Sequence, residues 1–87
     1  MRIYMQQLKC KGKPARFCHL HLQKELLPGW TLVKELGFQG DSGRVTRTHF
    51  FAHDAALAAL TQERDTKIEK GFRVVFSEGD SSRLRED

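Results

Sequence analysis

Cys18, His19 and His21 stand within four residues of one another, with Cys10 upstream and His49 downstream. Thiolate and imidazole are the donors that zinc favours. In an extended chain, His19 and His21 share one face and could reach one ion, but Cys18 faces the other way. Structural zinc takes four ligands, usually in recognised pair spacings, and the chain has no Cys-x-x-Cys pair. Neither a metal nor another cofactor is therefore expected, and the two imidazoles read as a half-exposed strand face. Ser42, Ser77, His49, His53 and Asp54 supply the side-chain types of a hydrolytic triad. Nothing in their order brings a nucleophile, its base and an orienting acid together. Gly37, Gly40 and Gly43 lack the Gly-Lys-Ser/Thr ending of a phosphate loop and lie between two strands rather than before a helix. The expectation is a non-catalytic protein without a small-molecule substrate.

The cations suggest different chemistry. The formal net charge is +4. The tail over 77–87 sets Arg83 and Arg85 against Glu78, Asp80, Glu86 and Asp87 and carries −2, which leaves +6 on the remaining body. A basic body attracts polyanions, though solvated basic surfaces are also common in small domains. Arg44 and Arg47 flank the Gly40-to-Gly43 turn, Lys34 lies on the preceding strand and Arg16 at the start of the one before. Arginine suits phosphate because its planar fork donates two parallel hydrogen bonds. Phe38 could stack on a base or sugar, or serve the core. The odd spacing of Arg44 and Arg47 puts them on opposite faces of one strand, which counts against a single shared patch. Three lysines in the loop from Lys9 to Lys13 could add salt-dependent, non-specific contacts.

Hydrophobic patterning supplies the elements that would hold these residues. Ile3-Tyr4-Met5 reads as a first strand. Ala15 to Gln23 alternates, with Cys18, Leu20 and Leu22 on one side and Phe17, His19, His21 and Gln23 on the other. After the Leu27-Pro28-Gly29 turn, Trp30 to Phe38 reads as a third strand. Trp30, Leu32, Lys34 and Leu36 form one side and Thr31, Val33 and Glu35 the other. Gly40-Asp41-Ser42-Gly43 is a hairpin turn, and Arg44 to Phe51 a fourth strand rich in β-branched and aromatic residues. Ala55 to Glu69 is made of helix formers, with Asp54 as a cap or first-turn acid and Gly71 as the residue that ends it. Leu57, Leu60, Arg64 and Ile68 mark one helical face, with Ala56 beside them. Phe72 to Phe76 is a final strand, and the polar tail is expected to be disordered.

The order β-β-β-β-α-β predicts an α+β fold. A single antiparallel sheet of about five strands carries one helix on one face. The organisation expected is one domain over 1–76 with a tail over 77–87. At 87 residues the chain supports one thin core. With 39% hydrophobic and 30% charged residues it is globular. No apolar run approaches a membrane span and the first residues do not resemble a signal peptide, so a cytoplasmic setting and free thiols are expected. Trp30 and Tyr4 read as anchors of the core or its edge.

The stretch Gly29-Trp30-Thr31-Leu32-Val33-Lys34-Glu35-Leu36-Gly37-Phe38-Gln39-Gly40 resembles the signature region of the WGR family. In that family a strand runs into Trp-Gly-Arg and a second glycine often follows, as Gly43 does here. Arg44 to Arg47, Phe51, Ala55-Ala56-Leu57 and Lys67-Ile68-Glu69-Lys70-Gly71-Phe72 are similar to the family's basic strand, phenylalanine, helix start and closing segment. Ala15-Arg16-Phe17 resembles bacterial members, so the likeness spans about Arg2 to Phe76. It implies a non-catalytic binding module that takes DNA or RNA through a basic hairpin surface formed by Lys34, Leu36, Gly37, Phe38, Arg44 and Arg47. Leu36-Gly37-Phe38 stands where the family has Trp-Gly-Arg, and only the glycine is kept. Leu36 offers no flat aromatic face and Phe38 cannot donate to a phosphate. The alternative is a protein-interaction module that has lost DNA-end binding.

Overall fold

The computed structural model describes residues 1–7, 12 and 14–79. Cys10, the three loop lysines and residues 80–87 of the tail lie outside the described residues. Five strands and one helix follow one another as β1 (Arg2–Gln7), β2 (Arg16–Lys24), β3 (Trp30–Phe38), β4 (Arg44–Phe50), α1 (His53–Glu69) and β5 (Phe72–Glu78). The first four strands form an antiparallel meander. After the helix, β5 returns to the free side of β1, giving the sheet order β4-β3-β2-β1-β5. The fold is α+β, one antiparallel sheet with one helix laid on it. No helix among the described residues is long and apolar enough to cross a membrane.

Alternation decides what the helix covers. Ile3 and Met5 of β1 pair with Leu20 and Cys18 of β2, and Leu22 of β2 pairs with Leu32 of β3. Cross-strand partners share a face, and these six residues are buried with Ala56, Leu60 and Phe72 in one core. The alternate positions, including Tyr4, Phe17, His19, His21, Val33 and Glu35, emerge on the opposite face, which the helix does not cover.

The buried stripe of α1 differs from the one expected. Ala56, Leu60 and Lys67 are buried, whereas Ile68 is 45% exposed. Counting apolar residues selects Ile68 over Lys67, but the helical repeat from Ala56 and Leu60 passes through 63 and 67. The lysine is accommodated because Glu63 meets its Nζ at 3.4 Å through Oε1, and the same carboxylate meets Lys34 Nζ at 3.4 Å through Oε2. Asp54 stands in the first turn, but Ala52 is the N-cap and gives no side-chain hydrogen bond. At the other end Gly71 takes φ 97° and its N–H donates to the Ile68 carbonyl, as a left-handed helix stop requires. The fourth strand ends one residue earlier than expected, which leaves Phe51 at 83% exposure.

Gly37 and Gly43 serve close approach rather than unusual torsion. A Cβ on Gly37 would meet the Cα of Gly43 at 2.8 Å, and a Cβ on Gly43 would meet Glu35 Cγ at 2.6 Å. Only Gly40 of the hairpin's three glycines has a positive φ, 92°.

Candidate nucleic-acid interface

Strand alternation divides the six residues that sequence reasoning grouped at the hairpin. Lys34, Leu36, Phe38 and Arg44 project on the helix side of the sheet, since Lys34 and Leu36 lie beside Leu20 and Cys18, and Arg44 pairs with Leu36. Gly37 pairs with Phe17 and Arg47 with Val33, so these two belong to the open face. The six do not form one surface.

Three of the helix-side residues already have partners. Lys34 is committed to Glu63, and Leu36 packs against the core. Phe38 takes up the Arg16 guanidinium, whose Cζ lies 5.7 Å from the Phe38 ring centre and 5.7 Å from that of Phe72. Arg16 is thus held between two rings, and its buried Nε has no hydrogen-bond partner among the described residues. Trp30 likewise packs at the margin of the core, edge-on to His53 at 4.5 Å and beneath Lys24 at 5.1 Å. A cleft of about 460 Å³ opens between α1 and the β3–β4 side of the sheet, lined by Lys34, Lys67, Lys70 and Thr48 among others.

The open face holds residues that motif spacing did not group into one nucleic-acid site. Its rings run in file across β1 and β2. Tyr4 and Phe17 are 6.1 Å apart and nearly parallel, at 21°. Tyr4 meets His19 edge-on at 6.0 Å, and His19 and His21 lie 6.5 Å apart at 8°. Gln39 donates from Nε2 to the Tyr4 hydroxyl at 2.8 Å, holding that ring in place. Beside the file runs a cross-strand row of Arg47, Val33, His21 and Arg2. Arg73 pairs with Gln6 at the β5 side. Arg2, Arg47 and Arg73 make no side-chain ion pair among the described residues, although Glu78 is the cross-strand neighbour of Arg2. The β2 alternation already showed Phe17, His19 and His21 on one side. What it lacked was the register of β1, which adds Tyr4 and Arg2.

Burial lowers the His21 pKa from its ordinary value, helped by Arg2, the N-terminus and His19. Burial pushes the Cys18 thiol up, against the opposing pull of Lys67. Cys18 is a free, buried thiol on the opposite face of β2 from His19 and His21. Among the described residues no group of three or more His, Cys, Asp or Glu is placed to hold a metal ion.

The residues of the notional triad are dispersed. Ser42 belongs to the β3–β4 turn, while His53 and Asp54 follow the far end of β4, with His53 Nδ1 3.8 Å from Asp54 Oδ1. His49 instead meets Phe51 edge-on at 5.1 Å. It also borders a hollow of about 450 Å³ shared with Glu25, Leu26 and Leu27.

Comparison with known proteins returned no matching family model, no matching curated protein and no matching solved structure.

Proposed function

We propose that this chain is a non-catalytic, WGR-like binding module that takes nucleic acid on the open face of its sheet. The observation that carries the reading is the set of uncommitted arginines there. Arg2 and Arg47 occupy one row across four strands, and Arg73 lies on the β5 side. A guanidinium without an internal partner keeps its donors for phosphate oxygens, and the basic body adds long-range attraction. Of the hairpin residues, Arg47 contributes directly, whereas Gly37 lies on the same face with Gly43 and the Phe17 ring packed close to it. Arg44 would meet phosphate only on the other side of β4, and Lys34, Leu36 and Phe38 support the fold.

Fluorescence anisotropy with labelled DNA and RNA tests this. Binding is expected to weaken along a straight line of log affinity against log salt between about 50 and 200 mM. Arg47→Ala should reduce the magnitude of that slope by about one contact and weaken all sequences alike. Absence of binding at every salt concentration would end the nucleic-acid reading.

A protein partner is the second reading, and one observation favours it. Leu26, Leu27 and Phe51 are 104%, 77% and 83% exposed and gather around His49 at one end of the sheet. Apolar side chains grouped in this way are typical of a protein-contacting surface.

A further inference from the structure

We infer that the nucleic acid is single-stranded and that its bases stack on the file formed by Phe17, Tyr4 and His19. The inference rests on the nucleic-acid reading and adds the ligand's class to it. Three observations support it. First, the rings, with centres 6.0 and 6.1 Å apart, lie side by side and half-buried on the sheet face that the helix does not cover. Second, the rings and the cations are separate. Tyr4 and His19 share a row with Glu35, Val45 and Phe76, whereas Arg2 and Arg47 lie in the next row along the strands, which ends at Glu78 on β5. A strand laid over the face can set neutral bases on the rings and turn its phosphates toward the arginines and away from the Glu35 carboxylate. Third, the Gln39 bond to the Tyr4 hydroxyl fixes the central ring, so less freedom is lost when a base settles on it.

A duplex cannot use this surface in the same way, because its base faces are already stacked on one another. Base–aromatic stacking is indifferent to sequence, since every base has a π face. Discrimination should therefore be between single and double strands rather than among sequences. His21 continues the file but pairs with Arg2 and shares its cross-strand row, so it belongs with the phosphate-facing row.

The experiment uses the full chain with labelled oligothymidylate and oligouridylate of about twelve nucleotides, and with duplexes of equal length. Single strands are expected to bind about tenfold or more tightly than duplexes at matched salt. Tyr4→Leu and Phe17→Leu, which retain apolar bulk, should each remove about tenfold of that affinity while leaving the salt slope unchanged. On the wild-type chain, NMR of the Phe17, Tyr4 and His19 ring protons should show upfield shifts on titration with oligothymidylate, a readout that does not depend on any variant folding. Equal or tighter duplex binding, or ring signals unmoved by a bound single strand, would overturn the inference and leave the broader nucleic-acid reading standing. No binding to any of these probes would overturn both.

Discussion

Gly37 is the hairpin residue whose role is best explained by what cannot be added to it. A methyl group there would press on the Gly43 backbone at 2.8 Å, whereas one on Gly43 would press mainly on the Glu35 side chain. A side chain can rotate away more readily than the backbone of the adjoining turn can shift. Gly37→Ala should therefore cost about 1–3 kcal/mol, and Gly43→Ala less. Urea unfolding of the two variants measures the difference, and equal losses would show that the hairpin relaxes as a whole. The same close approach explains a glycine between Leu36 and Phe38. The glycine meets a backbone constraint, while its neighbours turn to the helix side, where a leucine and an arginine-stacked phenylalanine satisfy packing.

At the scale of elements, α1 separates residue type from position. Leu60 is fully buried at the centre of the core, and Ile68 is exposed at the helix's outer side. Leu60→Ala should destabilise by about 2–5 kcal/mol, and Ile68→Lys should stay within about 0.5 kcal/mol. Thermal or denaturant unfolding tests the pair. A large loss from Ile68→Lys would mean that the helix is rotated from the orientation described. Lys67 occupies the inward position that apolar counting assigned to its neighbour, and its Glu63 partner, shared with Lys34, is what lets a charged head end beneath the helix.

For the whole molecule, the consequence lies in how stability depends on pH. His21 has a folded-state pKa below its ordinary value of 6.5. As pH falls through 6.5 the unfolded chain takes up a proton that the folded chain resists, so this stabilisation is lost with acid until the lowered folded pKa is reached. Cys18 acts at the other end. Its folded pKa lies above 9.0, so above that pH the unfolded chain releases a proton that the folded chain keeps, and stability falls again. The urea midpoint should drop between about pH 7.5 and 5.5, and the drop should shrink in His21→Gln. An identical drop in that variant would assign the acid sensitivity to other groups.

The amino-acid sequence by itself determined the elements, because their signals are local. The β2 alternation, the uninterrupted third strand from Trp30 to Phe38, the glycines of the hairpin and the Gly71 stop each act over a few residues. The inward set Cys18, Leu20 and Leu22 follows from period-two geometry alone, as does the separation of Arg44 from Arg47. Register and helix rotation were decided only by the tertiary structure, because they depend on which distant residues meet. Tyr4 joins Phe17 and His19 through the β1–β2 pairing, and Arg2 joins Arg47 only across four strands. Lys34 leaves the hairpin surface for Glu63 because the helix lies over β3. The candidate interface is therefore a property of strand pairing: its residues are spread from position 2 to position 73, and hydrogen-bond registers between strands bring them onto one face.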